Sequence, residues 1–362
     1  MNAKRHTLDF VFIGKSILSS FNNPQADLYR GLVGELAHLG HRTVFLEQED
    51  PCHRKQRDML RSPYCEVWTY GRTQDLLTEY RDAIRVADVV LLGNGVHDSS
   101  RIAHWIAEEA KGAKVYYDTD LARTFGHLDG TNKRDDCLEA ADICLFDLFL
   151  STTGGTAIQR ICDEFNCPMA FPLYESIDPY FYYRTDVLKQ YDLGFIGNFK
   201  QDRDQQLNEM LLQPAIRTPN RNFVLAGANY PDDFNWPDNM RYVEHLPESN
   251  HVSFYNRQHC SLVLARPDRA KLGHTPSKRL LAAAACGVPI LSDDWEGLPD
   301  FFEPNREIFV ISDCHSVLDA LYISSEFERS KLGDLARERV LAEHTTRRRT
   351  EQLLELCGMI MA

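Results

Sequence analysis

The sequence predicts an α/β protein built from two doubly wound domains with parallel sheets. Three observations lead there. Short apolar runs ending in Gly or Asp alternate with amphipathic helical stretches, the pattern of a parallel sheet covered by helices. The alternation stops at a stretch rich in Pro, Tyr and Asp, Tyr174 to Tyr191, and then restarts. The length of 362 residues gives each half enough chain to bury its own core.

The first half opens with Leu8 to Ile13, an apolar run that reads as a strand, followed by the loop Gly14-Lys15-Ser16-Ile17-Leu18-Ser19-Ser20. Asp27 to Leu39 has apolar residues at helical spacing and stops at Gly40; Arg42 to Leu46 is the next strand. This β-loop-α-β unit would bind a ligand beyond its strand C-termini. A lone Gly-x-Ser loop is weak evidence for a phosphate cradle, and a structural turn accounts for it better. Asp88 to Leu92 is a buried strand leading into Gly93-Asn94-Gly95, and Arg101 to Ala110 is an amphipathic helix. Lys114 to Tyr117 is a strand ending in Asp118-Thr119-Asp120. Asp118 at that edge suits a general base toward an acceptor hydroxyl, or a cap for the next helix. Ala141 to Leu145 reads as a strand; Thr153-Gly154-Gly155 turns into a helix, Ala157 to Phe165, whose N-terminus can meet an anion or a sugar. Met169 to Tyr174 closes the half as a strand.

The second half begins with a strand at Asp192 that ends in Gly197-Asn198 and passes Arg203 into a helix reaching Leu212. Strands follow at Asn222 to Ala226, Met240 to Val243 and Ser261 to Ala265, the last running into Arg266. Its centre is Gly273 to Phe302. Thr275-Pro276-Ser277 opens a small-residue helix, with Pro276 expected in the first turn and Ser or Thr capping. Gly287 ends that helix, Val288 to Leu291 is a strand, and Trp295-Glu296-Gly297-Leu298 is the loop after it. Free N–H groups at such edges, with Lys278 and Arg279 beside them, make an anion site suited to a diphosphate. Ordinary αβ packing around an Ala-rich helix accounts for the same residues. Strand Ile308 to Ile311, helices from Ser316 and Arg329, and a terminal helix within 344–362 complete the chain.

Composition excludes several classes. A net charge of −13 speaks against a nonspecific nucleic-acid binder, though not against a local basic cleft. Ten scattered Cys with no C-x-x-C pair read as reduced thiols rather than disulfides or zinc ligands. No stretch reaches the ~20 apolar residues of a membrane span, and with a polar N-terminus followed by only a short apolar run, no signal sequence is expected. The expectation is a cytoplasmic enzyme, with peripheral membrane contact left open.

From Arg279-Leu280-Leu281-Ala282-Ala283-Ala284-Ala285-Cys286-Gly287-Val288-Pro289 through Trp295-Glu296-Gly297-Leu298, the chain resembles the donor-site signature of GT-B glycosyltransferases. The nearest resemblance is to their CgeB-like, group 1 branch, which reads R-L-F-E-A-A-A-C-G-x-P-I-I-S-D-x-W-E-G-L. Asn22 to Arg30 stands where relatives show G-N-G-H-A-x-x-Y-R: Tyr29 and Arg30 match, and Gln25 replaces the His. The family Glu that usually holds the nucleotide ribose is Ala282 here, and His274 stands where another acidic residue is common.

The resemblance, running from about 10 to 355, implies a GT-B architecture with two Rossmann-like domains facing a cleft. Domain bounds of 1–178 for the acceptor, 179–343 for the nucleotide sugar and 344–362 for a helix crossing back are expected. It implies transfer of a hexosyl or pentosyl group from a UDP-, GDP- or dTDP-sugar to an unidentified acceptor (protein, polysaccharide, small molecule or modified nucleobase). No cofactor or metal is expected, because Asp118-Thr119-Asp120 has D-x-D spacing in the wrong domain. The implied donor and acceptor contacts are Gly14, Lys15, Ser16, Ser20, Gln25, Tyr29, Arg30, Thr153, Gly154, Gly155, Gly197, Asn198, Arg203, Arg266, Thr275, Ser277, Trp295, Glu296, Gly297 and Leu298. Asp118, His274 and Lys278 are the expected catalytic groups, with Arg266 and Lys278 meeting the leaving diphosphate. Ala282 and Gln25 keep a rival in view, a silent nucleotide-sugar binder, beside a GT-B epimerase or hydrolase.

Overall fold

The computed structural model describes residues 7–21 and 23–361; Asn22, counted above in the stretch before Tyr29, lies outside them. The chain forms two compact units: the chain up to Tyr174 joined by the C-terminal stretch from Thr346, and Glu175–Thr345.

The first unit is a seven-stranded parallel sheet. Its strands are β1 (Asp9–Gly14), β2 (Arg42–Gln48), β3 (Glu66–Tyr70), β4 (Val89–Gly93), β5 (Ala113–Asp118), β6 (Leu148–Ser151) and β7 (Ala170–Pro172), ordered β3-β2-β1-β4-β5-β6-β7. Central strands such as β4 are buried along their whole length, as apolar runs covered on both faces must be. Helix Gln25–His38 packs its apolar face on this sheet, and helix Thr346–Met361 lies beside it. The terminal helix contributes Leu353, Leu356 and Cys357 to the core, and its Arg347 reaches Glu35 at 3.3 Å.

One expectation needs correcting, and one strand was not expected. Ala140–Leu145 is a 3-10 helix, not a strand, and β6 begins three residues later. The buried Asp142 carboxylate accepts the Glu139 N–H at 2.9 Å and starts a helical turn, so the wholly buried Leu148–Ser151 supplies the strand. In addition, β3 pairs with β2 as the sheet's edge, where partial burial leaves no long apolar run to recognise.

The second unit repeats the design with six parallel strands: β8 (Tyr191–Ile196), β9 (Phe223–Ala226), β10 (Met240–Val243), β11 (Gln258–Val263), β12 (Ile290–Ser292) and β13 (Phe309–Val310), ordered β10-β9-β8-β11-β12-β13. Its core joins Leu193, Phe195, Leu225, Leu262 and Leu291 to helical Leu211 and Val317. Helix Lys278–Ala285 starts two residues later than expected for a Pro at its first position. Ser277 is the N-cap, accepting from Leu280 N at 3.3 Å, and Pro276 precedes it. All residues from Leu280 to Ala285 are buried, as small side chains pressed close to a sheet should be.

Candidate functional site

In the first unit the strand order reverses between β1 and β4, so the loops after these strands flank the crevice where doubly wound sheets hold ligands. Most amides of the loop after β1 serve the fold. Ile17 and Leu18 donate to Glu47 Oε2 at 2.9 and 3.2 Å, Ser19 N to Ser16 Oγ at 2.9 Å, and Ser20 N to Asp58 Oδ1 at 3.1 Å. Arg30 clamps the same loop, giving Nε to Ile17 O at 2.8 Å and a bidentate contact to Asp58 at 2.9 and 2.7 Å. A phosphate cradle needs outward N–H groups; those from Ile17 to Ser20 are occupied by protein oxygens, so here the turn reading has the better geometry. Lys15 behaves differently. It follows Gly14, is half-buried, and makes no hydrogen bond or ion pair with the described residues.

Gln25 bridges the ends of two strands. Its Nε2 donates to Asn94 Oδ1 at 2.8 Å and to Thr119 Oγ1 at 2.9 Å, while its Oε1 is buried without a partner. Tyr29 is buried, and burial, helped by the Asp118 charge, pushes its phenol well above the usual range. Asp118 is 0% exposed; its carboxylate accepts from Thr124 Oγ1 at 2.5 Å and from Asp120 N at 2.8 Å. Thr152 N donates to Asp118 O at 3.1 Å, which brings the Thr153-Gly154-Gly155 turn into the same corner. Gly154 is the N-cap of helix Gly155–Phe165, and Tyr174 Oη occupies the place of a Cβ there.

The second unit reverses its order between β8 and β11. Past β8, Gly197 and Asn198 meet the buried Arg203, whose Nη2 donates to Asn198 O at 2.8 Å and whose guanidinium lies 5.6 Å from the Phe195 ring centroid. Burial, and after it the Arg266 charge, hold the Arg203 pKa below the ordinary guanidinium value. Arg266 follows β11 and pairs with Asp268. Arg203 and Arg269 both act as like charges on Arg279, the solvent-accessible second residue of helix Lys278–Ala285. Four arginines, 203, 266, 269 and 279, thus gather at the C-terminal edge of this sheet beside a helix N-terminus. Lys278, by contrast, donates to Glu248 at 2.8 Å. Arg203 and Arg266 are among the contacts that the resemblance implies, whereas Arg279 stands out in the sequence only as added charge.

His274 and the Trp295–Leu298 loop interlock. His274 N donates to Glu296 O at 2.6 Å, its Nε2 pairs with Asp300 at 2.9 Å, and its Nδ1 is buried without a partner. Thr275 Oγ1 donates to Gly273 O at 2.7 Å, Trp295 packs near Phe301, and Leu298 is buried. One group was missed: Asp293, just past β12, accepts from Ala265 N at 2.9 Å. Burial pushes its carboxyl up to about 6. Its signal was available, since a carboxylate past a strand C-terminus is what singled out Asp118. Among the described residues no group of His, Cys, Asp and Glu has metal-binding geometry, and no helix is long and apolar enough to cross a membrane.

Residues 203–355 match the glycosyl transferase-like family model. No curated protein matches the chain. Solved structures do. Sucrose-phosphate synthase from Thermosynechococcus elongatus superposes with a TM-score of 0.71 at 14% identity, covering 98% of this chain and 99% of that one. Anabaena HepE, in complex with UDP and glucose, gives 0.71 at 11% identity over 97% and 100%. An α-glucosyltransferase bound to UDP-glucose and DNA containing an abasic site gives 0.71 at 11% over 98% and 100%. At these identities the likeness is one of fold: the chain is two parallel-sheet Rossmann-like units in the GT-B arrangement of elements, with a glycosyl transferase-like domain in its second half.

Proposed function

We propose that the protein is a glycosyltransferase that binds a nucleoside-diphosphate sugar on its second unit and passes the sugar to an acceptor served by the first. The observation that carries this is the gathering of Arg203, Arg266, Arg269 and Arg279 at the β8/β11 edge. Arg266 already pairs with Asp268, yet in a chain of net charge −13 the remaining guanidiniums make this ligand-binding edge locally positive, which would draw an anion. A leaving diphosphate is such an anion, and guanidinium groups with the N–H groups after Ser277 would stabilise it as the glycosidic bond breaks, without a metal. The family match over 203–355 supports the assignment, and the UDP named with HepE and the α-glucosyltransferase favours a uridine donor.

His274 is assigned to the donor sugar. Its Nε2 is directed to Asp300, and its Nδ1 is buried without a partner beside the Trp295–Leu298 loop. The CgeB-like branch and a cytoplasmic location belong to the same proposal. Ala282, 2% exposed where relatives carry a ribose-binding Glu, favours the second reading of a silent binder.

The test is a thermal-shift series with UDP, GDP and dTDP, followed by release of nucleoside diphosphate from the matching sugar donor. A nucleotide at ~100 times its dissociation constant adds about 2.7 kcal/mol. With candidate acceptors supplied, a shift with acceptor-dependent release supports the transferase, release without acceptor the hydrolase, a shift without release the silent binder, and no shift with any nucleotide removes all three.

A further inference from the structure

The first unit holds a second cationic corner, separate from the arginines of the second unit. It is built by three strand ends. Lys15 follows β1, Gly95 follows β4, and Arg123 lies on helix Leu121–Leu128 after β5. The segment around Asp136 is fastened to it, since Gly95 N donates to Asp136 O at 2.9 Å. Arg123 and Arg134 share the one Asp136 carboxylate, with Arg134 Nε at 2.9 Å. Burial raises that carboxyl, but the two guanidiniums prevail and hold it down at about 2. It is therefore ionised, and two arginines divide a single negative charge.

Two donors in this corner are unspent. Arg123 Nε is buried with no acceptor. Lys15 Nζ has no hydrogen bond or ion pair among the described residues, although burial, and after it the Arg123 charge, lowers its pKa. The Arg123 charge is shared with Asp136, but its buried Nε–H has no acceptor, and the half-buried Lys15 has no carboxylate bonded to it; polar donors left in this way are commonly kept for a ligand. The lysine is also held in place. Gly95 has φ +83°, and a Cβ there would come within 2.9 Å of Lys15 Cε. Asp50, the remaining carboxylate acting on Lys15, is engaged in capping Cys52 N at 2.6 Å.

We propose that Lys15 and Arg123 form a receptor for an anionic group, phosphoryl or carboxylate, carried by the acceptor, so that the acceptor is an anionic sugar or similar small anion. The position supports this, because the corner lies at the β1/β4 reversal. Arg123 offers a directed N–H and Lys15 a point charge, a pairing suited to tetrahedral or planar oxyanions. The inference rests on the transferase reading given above.

The experiment uses the whole chain held at saturating UDP, titrated calorimetrically with hexose 6-phosphates, hexuronates, inorganic phosphate and neutral hexoses. Binding of a sugar phosphate or a hexuronate in preference to neutral hexoses is expected, and which of the two binds identifies the anion. Lys15→Met should weaken it about ten- to a hundred-fold, the loss expected of one charge-assisted contact, while UDP affinity holds. Gly95→Ala, which displaces the lysine without removing its charge, should weaken it in the same direction. Equal binding of neutral and anionic sugars, unchanged anion binding in Lys15→Met, or a Lys15→Met defect confined to UDP would each overturn the inference and leave the transferase reading standing. Loss of UDP binding in the wild-type protein would instead strike that reading itself.

Discussion

The imidazole of His274 lies against the bare Cα of Gly297. A Cβ at position 297 would come within 2.5 Å of His274 Cγ, and Gly297 has φ +89°. His274 itself sits at φ +40° and donates its N–H back to Glu296 O. Two left-handed residues therefore hold the Trp295–Leu298 loop against the segment that enters helix Lys278–Ala285. Gly297→Ala should destabilise the fold by roughly 2–4 kcal/mol, part from the left-handed backbone and part from the collision. Thermal melts check the size. The double variant with His274→Gly should recover a coupling of at least about 0.5 kcal/mol; strictly additive effects would refute the interlock.

Much of the fold was legible because parallel strands buried on both faces are apolar runs and their helices keep a 3.6-residue period. Strands such as β1, β2, β4 and β9 were readable for that reason. What escaped was decided by side-chain hydrogen bonds. Asp142 turned an apolar run into a helical turn, and the edge strand β3 had no run to show. The site divides similarly. The loops past the strand ends could be named from their order, but the sequence cannot say that Arg30 is committed to Asp58 or Lys278 to Glu248. Those pairings span 28 and 30 residues and exist only once the chain is folded.

The Arg30–Asp58 clasp makes a prediction about pH. Burial raises the Asp58 carboxyl, but hydrogen bonds from Arg30 and Ser20 outweigh this and hold it at about 2, below its ordinary 3.8. A carboxyl depressed in the folded state stabilises above its unfolded pKa and loses that contribution as pH falls through the folded one. Asp58→Asn should lower the melting temperature at pH 7, and the gap should close between about pH 4 and 2. The carboxylate is well exposed, so the effect at pH 7 should stay near 1 kcal/mol or below, about the worth of a surface pair. A gap that persists at pH 2 would assign the loss to something other than the charge.

Arg279 and Lys278 are neighbours with different expected effects on nucleotide binding. Arg279 belongs to the arginine group, whereas Lys278 donates to Glu248 and lies 5.8 Å from the Tyr182 ring centroid. Arg279→Gln should reduce UDP affinity about tenfold or more, the scale of one charge-assisted contact. Lys278→Met should change it less than about threefold, because its charge already serves Glu248. Calorimetric titration with UDP decides. A larger loss in the lysine variant would move the diphosphate onto Lys278 and away from the arginines.

Asp293 carries the opposite sign of linkage from Asp58. Burial raises its folded-state pKa to about 6, against an ordinary 3.8, even though Ala265 N and the Arg203 charge favour the ionised form. A raised group contributes stability that is fully present below the unfolded pKa and is lost as pH climbs through the folded one. Between pH 4 and 6 the wild-type protein should therefore lose stability, up to about 3 kcal/mol for two pKa units. Asp293→Asn cannot ionise and keeps an oxygen for Ala265 N. It should match the wild type near pH 4 and exceed it above pH 6, with melting curves across that range as the measurement. A variant that is less stable than wild type at pH 8 would mean that the ionised carboxylate is paid back by Arg203, making the pair an asset of the fold rather than a strain held at the donor edge.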